Sequence, residues 1–432
     1  MKTFKEITAI LLSVSMIASS MVLAGCNDDK NNNGEETSQK ESSLNISKPE
    51  FTQESSEKIE DIKAISAKPE LTNEQLGSID NFIAQYKKVP SIVLNEEKID
   101  AAAIAKDKKI SLIVDNSNYV FTSFVKDQFI QAGRAVGLDP IITDDSDGTV
   151  NFYNTALEKL RKEKGMNLAL MYGDINKDPL AQNIELAQAT GIKILSGGYV
   201  GRDMTDHYVD YTIPIDYNLA GKLLADCAIS SNKGKVNALA LNNSDSMVST
   251  SIYKGFSDEF VTYVSEGYCT VLSGSSIEIG NGLATKIKQA LEKDRNLNYI
   301  VVLDENMIND ALSAVEQSGK RINIIATGGS SSAFLAAENG KIDALVAQSY
   351  EWTAYAMMDY VLRVLGDKKL PEIQSVPVRV VNGDTIANEM EKTEYEDIEG
   401  FYEICFGANF ITGYRKMWGL EVKEESKSED ES

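Results

Sequence analysis

The chain has 432 residues, 43% of them hydrophobic, which is enough to bury the cores of two ordinary domains. Its 65 acidic against 43 basic residues give a net charge of −22. That balance argues against a nucleic-acid partner, because phosphate binding rests on neutralisation by Lys and Arg.

The chain starts with Lys2 and Lys5 and then runs mainly apolar from Ile7 to Ala24, with no charge after Glu6. So short a segment at the extreme N-terminus reads as a secretory signal over residues 1–25. Leu23-Ala24-Gly25-Cys26 also resembles the bacterial lipobox, which implies that Cys26 is acylated and becomes the first mature residue. The plainer alternative is an ordinary signal followed by an incidental cysteine. Acyl chains contribute about 0.8 kcal/mol per buried methylene, so they can hold a domain at a membrane without a spanning helix. No later stretch is long and apolar enough to span. The expected location is therefore the cell membrane, lipid-anchored on the extracytoplasmic face.

Residues 26–57 are rich in Asn, Ser, Glu and Lys and read as a disordered tether. Within an extension over 58–108, "NEQLGSIDNFIAQY" has the spacing of one helix, with no role assigned. From Ile110 to about Leu420, buried-strand runs alternate with helical periodicity: "ISLIV", "NLALMY", "IKILS", then "VNALAL", "YIVVLD", "INIIAT" and "DALVAQ". Phe121, Val125, Phe129, Ala132 and Val136 mark one amphipathic stretch between them. Continuous apolar strands alternating with helices imply parallel sheets covered on both faces. The pattern breaks at "TIPIDYNLAGK" and restarts, so the fold class is α/β with two doubly wound parallel-sheet lobes. Ligands of such sheets bind beyond the carboxyl ends of the strands, here between the lobes. Residues 421–432 form an acidic tail.

"ISLIVDNSNYVFTSFVKDQFIQAGRAVGL" is similar to the first strand and helix of type I periplasmic binding proteins, the ribose-binding-protein group. "IDYNLAGKLLAD" resembles the start of their second lobe, and "IVVLDENMINDALSAVEQSGK" a later strand-helix unit. "GKIDALVAQSYEWTAYAMMDYVLRVLGDKKLP" resembles the return to the first lobe. The resemblance implies a three-crossing hinge near Pro214, Gln348 and Gln374. Lobe 1 then takes 109–214 and 349–375, and lobe 2 takes 215–348 and 376–420.

The resemblance also implies a ligand site. Tyr119 and Phe121 match an aromatic loop that stacks on sugars, Asp304 a strand-end Asn or Asp, and Gln348 a hinge glutamine. An Asp-Arg pair of the ribose-type site aligns instead with Gly198 and Tyr199, a second-lobe arginine with Ile252, and an acidic residue with Gly328. Arg202-Asp203 would replace the lost pair only if the loop shifts. The implied pocket is more aromatic, less cationic and locally acidic, with Tyr199 as an added wall. Tyr119 and Phe121 also read as caps of the core, equally so for Phe121, and Asp304 also reads as an N-cap for a helix beginning at Glu305. Trp352 reads as lobe packing, and Asn243 and Asp245 face either cleft or solvent. The expected ligand-binding set is Tyr119, Phe121, Tyr199, Asn243, Asp304 and Gln348.

No cofactor or metal is expected. "DINKDPLAQNIE" (174–185) has the acids and amides of an EF-hand-like loop, yet Pro179 stands where glycine is needed. Asp178-Pro179 reads instead as an N-cap and first helical residue. Cys227, Cys269 and Cys405 have neither metal nor disulfide spacing, and Cys227 reads as core packing. The single His207 sits in a polar loop and reads as a surface residue, and no nucleophile elbow or phosphate loop is present, so no enzyme is expected. The lac-repressor relatives of this fold carry a DNA-binding helix-turn-helix where this chain has a lipobox. Two readings remain. One is the capture component of an ABC importer, a monomer that hands a sugar-like solute to permease and ATPase subunits. The other is a sensory binding protein that presents its ligand to a receptor kinase or chemoreceptor.

Overall fold

The computed structural model describes residues 70–90, 97–115, 120–145, 149–173, 177–197, 207–213, 215–371, 376–391, 405–407 and 409–421. The signal segment, Cys26, the tether, Pro214, Gln374 and most of the acidic tail lie outside them. No described helix is long and apolar enough to cross a membrane.

Helices α1 (Asn73–Tyr86) and α2 (Ala101–Ala105) lead into the first alternating set. That set is β1 (Lys109–Val114), α3 (Val120–Ala135), β2 (Ile142–Asp145), α4 (Val150–Lys162), β3 (Met166–Tyr172), α5 (Ala181–Gln188), β4 (Lys193–Gly197) and β5 (Tyr211–Thr212). The second begins α6 (Asn218–Ser231), β6 (Ala238–Asn243), α7 (Met247–Tyr263), β7 (Cys269–Gly274), α8 (Leu283–Lys293) and β8 (Tyr299–Val302). It continues with α9 (Ile308–Ser318), β9 (Asn323–Gly328), α10 (Ser331–Glu338) and β10 (Ala344–Gln348). The chain then forms α11 (Tyr350–Leu365), β11 (Val378–Val381), α12 (Gly383–Met390) and α13 (Asn409–Met417).

One sheet has the order β2-β1-β3-β4-β5, the other β11-β10-β9-β8-β6-β7. All pairings are parallel except β10 with β11, which is antiparallel. The seven apolar runs read from the sequence all become strands, buried because helices cover both faces. The other four lack that signature. β2 ends in two acids, β5 has two residues, and β7 is an edge strand with exposed positions. β11 is four residues long.

Three crossings join the lobes. Ile213 packs in the first-lobe core and Ile215 in the second, Gln348 ends β10 just before α11, and Val376 touches both cores. Two further segments do the same. Helix α1 begins with a capping box between Thr72 and Gln75 and buries Ile79 and Ile83, four residues apart, in the second-lobe core. Ile99, Ala101 and Ala105 then pack in the first. At the other end Cys405 and Phe406 belong to the second lobe, while Phe410, Tyr414, Met417 and Trp418 belong to the first.

The last of these differs from the expected lobe 2 boundary at residue 420. Helix α11 presents Trp352 and Tyr355, large aromatic surfaces that need cover. Phe410 stacks on Trp352 at 4.8 Å and Trp418 on Tyr355 at 5.7 Å. Trp418 also donates its indole N–H to buried Asp359 at 2.9 Å. Aromatic area of this size dominates local packing, so α13 is held in lobe 1.

Candidate ligand-binding cleft

Both sheets point the carboxyl ends of their strands at one cleft of about 470 Å³. From lobe 1 come Asp115, which directly follows β1, Phe121 on α3, Tyr153 on α4 and Tyr172 at the end of β3. From lobe 2 come Asn243 at the end of β6, Asp245 and Ser246 behind it, and Asp304, Glu305 and Asn306 behind β8. Thr327 and Gly328 end β9, and Gln348, Tyr350 and Thr353 surround the hinge. Ile252, where the resemblance placed an arginine, contributes a buried apolar patch.

The polar groups are held in place by one another. Asn243 donates its side-chain amide to Asp304 Oδ2 at 2.7 Å, and its Oδ1 accepts the Asp245 N–H at 3.1 Å. Asp304 Oδ1 accepts both N–H groups of Asn306 at 2.9 Å. Asp304 therefore caps the short turn Glu305–Met307 and lines the cleft at once, so its two sequence readings are compatible. Gln348 donates to Thr327 Oγ1 at 2.7 Å, and Thr327 donates to the Val346 carbonyl at 3.0 Å.

Gly328 is not a gap in the site. A Cβ there would lie 2.9 Å from Glu305 Cδ, so the glycine makes room for a carboxylate brought from a different strand end. Glu305 accepts the N–H of Gly329 and of Ser330, each at 3.0 Å, and the Tyr350 hydroxyl. Gly173, at φ +132°, does the same for Asp115, whose Cγ would lie 2.3 Å from a Cβ. Thr122 donates to Asp115 at 3.2 Å. Burial, then the neighbouring Tyr217 and Asp115, push the Tyr172 phenol well above its ordinary pKa, which keeps it a hydroxyl donor.

Of the expected set, Phe121, Asn243, Asp304 and Gln348 line the cleft, while Tyr119 and Tyr199 lie outside the described residues, as do Arg202 and Asp203. Phe121 also packs on the Tyr350 ring at 5.9 Å. Asp245 faces the cleft, and Trp352 is buried against Phe410. Asp178 corrects the sequence reading. Lys177 takes the cap position without a side-chain bond, and Asp178 begins the turn while accepting from the Tyr208 hydroxyl at 2.8 Å. His207 is exposed. Among the described residues no group of three or more His, Cys, Asp or Glu could hold a metal. Asp115, Glu305 and Tyr350 were not picked out in the sequence. The signal available was position, since each stands within three residues of a strand's carboxyl end.

Two α/β lobes, a strand-end cleft and a chain that crosses between them define the type I periplasmic-binding-protein fold. The chain belongs to the periplasmic binding protein domain family, whose model matches residues 110–369, more than half its length. Solved structures share the fold. GanP, a glucose-galactose binding protein from Geobacillus stearothermophilus, is 15% identical with a TM-score of 0.55, over 65% of this chain and 99% of that one. An ABC-transporter solute-binding protein from Agrobacterium vitis, bound with α-D-tagatopyranose, is 17% identical with a TM-score of 0.56, over 67% and 100%. The XylFII–LytSN complex matches at 15% and 0.53, over 65% and 99%. No curated protein matches the sequence.

Proposed function

We propose that this protein is the extracytoplasmic solute-binding component of an ABC importer, taking a carbohydrate or sugar-like solute and performing no catalysis itself. The observation that carries this reading is the cleft between two hinged lobes, with aromatic rings on one side and amides and carboxylates on the other. Rings cover the apolar faces of a sugar while planar polar groups accept and donate to its hydroxyls. The sugars named for the structural neighbours support that class. Cys26 would carry the lipid anchor, and the residues up to the first domain would give reach from the bilayer. A second reading is favoured by one observation, the likeness to a structure that is itself a two-protein complex. In that reading the closed lobes dock on a membrane receptor.

Calorimetry on solutes selected by a thermal-shift screen tests the binding function, since a ligand of the folded state raises the melting temperature. Asp304→Ala should weaken binding by about ten- to a hundredfold, because a bond to a charged group contributes about 1.5–3 kcal/mol. Near-native affinity in a folded Asp304→Ala protein removes Asp304 from the site. Cys26→Ser should move the protein from the membrane fraction to the soluble one. Sedimentation with membranes after a high-salt wash would show that no lipid anchor holds it.

A further inference from the structure

The second-lobe wall of the cleft carries a charge that no described cation lining the cleft balances. Asp245, Asp304 and Glu305 stand on one wall, within one network linked through Asn243 and the adjacent positions 304 and 305. No described Lys, Arg or His lines the cleft.

The groups that hold the three second-lobe carboxylates are neutral. Asp304 accepts from Asn243 and Asn306, Glu305 from two backbone N–H groups and the Tyr350 phenol, and Asp245 from the Ser276 N–H at 2.9 Å and the Ser244 hydroxyl at 3.4 Å. Such donors fix orientation and leave the charge in place. A carboxylate offers roughly four acceptor sites, so each also keeps capacity for a further donor. Closing the lobes over a solute expels water and strengthens every remaining charge interaction. A neutral polyol would then leave the three like charges of that wall together in a drier space, and an anionic sugar would add to them. An ammonium group would compensate them, with the faces of Phe121 and Tyr350 adding cation–π attraction.

We infer that the cleft selects a cationic solute, an amino sugar or a similarly aminated polyol, over its neutral and anionic counterparts. The inference rests on the carbohydrate reading above and names the charge of the ligand. The acids that decide it are Asp304 and Glu305, which the Asn243 amide and the Gly329 and Ser330 N–H groups aim from the second lobe.

Matched probes test it by calorimetry at pH 6 and low salt. They are glucosamine with glucose, galactosamine with galactose, mannosamine with mannose, together with glucuronate and the non-sugar amine ethanolamine. In at least one pair the amino sugar should bind about tenfold or more tightly than its parent, with glucuronate weakest, as close charge pairs across an interface do. Asp304→Asn and Glu305→Gln, which keep shape and remove charge, should each shrink that ratio, and melting curves check that both variants fold. Neutral sugars binding as tightly as their amino partners overturn the inference while leaving the carbohydrate reading intact. Ethanolamine binding without any sugar upholds the charge inference and overturns the carbohydrate reading. Silence from every amine overturns the inference.

Discussion

Arg363 in the first lobe and Arg379 in the second hold the same two chain segments from opposite ends. Arg379 donates to the Lys87 carbonyl at 3.0 and 3.1 Å and to the Cys405 carbonyl at 2.8 Å, and pairs with Glu389. Arg363 donates to the Glu97 carbonyl at 3.0 Å, contacts Met417 Sδ at 3.3 Å, and pairs with Asp359 at 2.8 Å. Lys87 and Glu97 bracket the N-terminal crossing, and Cys405 and Met417 bracket the C-terminal one. Each guanidinium is buried, and its fixed fork of donors reaches several acceptors at once.

Arg379→Met should therefore destabilise the protein by about 2–4 kcal/mol, since a buried charged donor is lost while its partner Glu389 stays partly exposed to water. The lost bonds also leave two main-chain carbonyls without a donor. Urea unfolding followed by circular dichroism measures it. A loss below about 1 kcal/mol would mean that the segments hold the lobes without the arginine.

Helices α6 and α7 touch backbone to backbone. A Cβ on Gly221 would sit 1.9 Å from the Ile252 carbonyl oxygen, and one on Gly255 would sit 2.0 Å from that of Asn218. Neither obstacle is a flexible side-chain end. Gly255→Ala should cost at least about 1–3 kcal/mol by forcing the helices apart. Gly77→Ala in α1 meets nothing within 4 Å and should be neutral or stabilising by up to about 1 kcal/mol. The two melting temperatures should move in opposite directions or differ clearly. Equal small shifts would refute the close crossing.

The repeating sheet was legible because strands buried on both faces leave uninterrupted apolar runs, as in "NLALMY" and "YIVVLD". Helix α1 was legible to the residue, from Asn73 to Tyr86, though not its cap at Thr72. Its docking was not, since Ile79 and Ile83 show that it is amphipathic without showing which surface it meets. Likewise nothing local in "NFITGYRKM" says that Phe410 will stack on Trp352, 58 positions earlier. In the cleft, Asp304 and Gln348 stood out through the resemblance. Glu305 did not, because its role depends on the space left by Gly328 on another strand.

Asp226 makes stability depend on pH. Burial first, then the charge of nearby Glu259, raise its carboxyl from 3.8 to about 7, while Lys222 opposes the shift. Lys222 itself pairs with Glu259 at 2.8 Å and lies over the Phe82 ring of α1 at 4.8 Å. The folded state thus binds a proton that the unfolded state releases between about pH 4 and 7. This contribution to stability is full below about pH 4, falls as pH rises through that window, and is flat above it. Asp226→Asn should remove the downward slope in unfolding free energy over pH 4–7. An unchanged slope would assign the pH dependence to other groups.

Tyr350 connects the lobes at the hinge. It opens α11, packs its ring on Phe121 of lobe 1, and donates its hydroxyl to Glu305 of lobe 2. A bond between two moving bodies stabilises only the arrangement in which both partners meet, so it biases the equilibrium toward approach of the lobes. A solute that touches both walls biases it the same way. Saturation with ligand should therefore reduce the radius of gyration measured by small-angle scattering. Tyr350→Phe keeps the ring and removes the bond. It should enlarge the radius of the free protein and weaken ligand binding by about five- to tenfold, the worth of one hydrogen bond of about 1–1.5 kcal/mol. An unchanged radius together with unchanged affinity would show that the Tyr350–Glu305 bond does not bias closure.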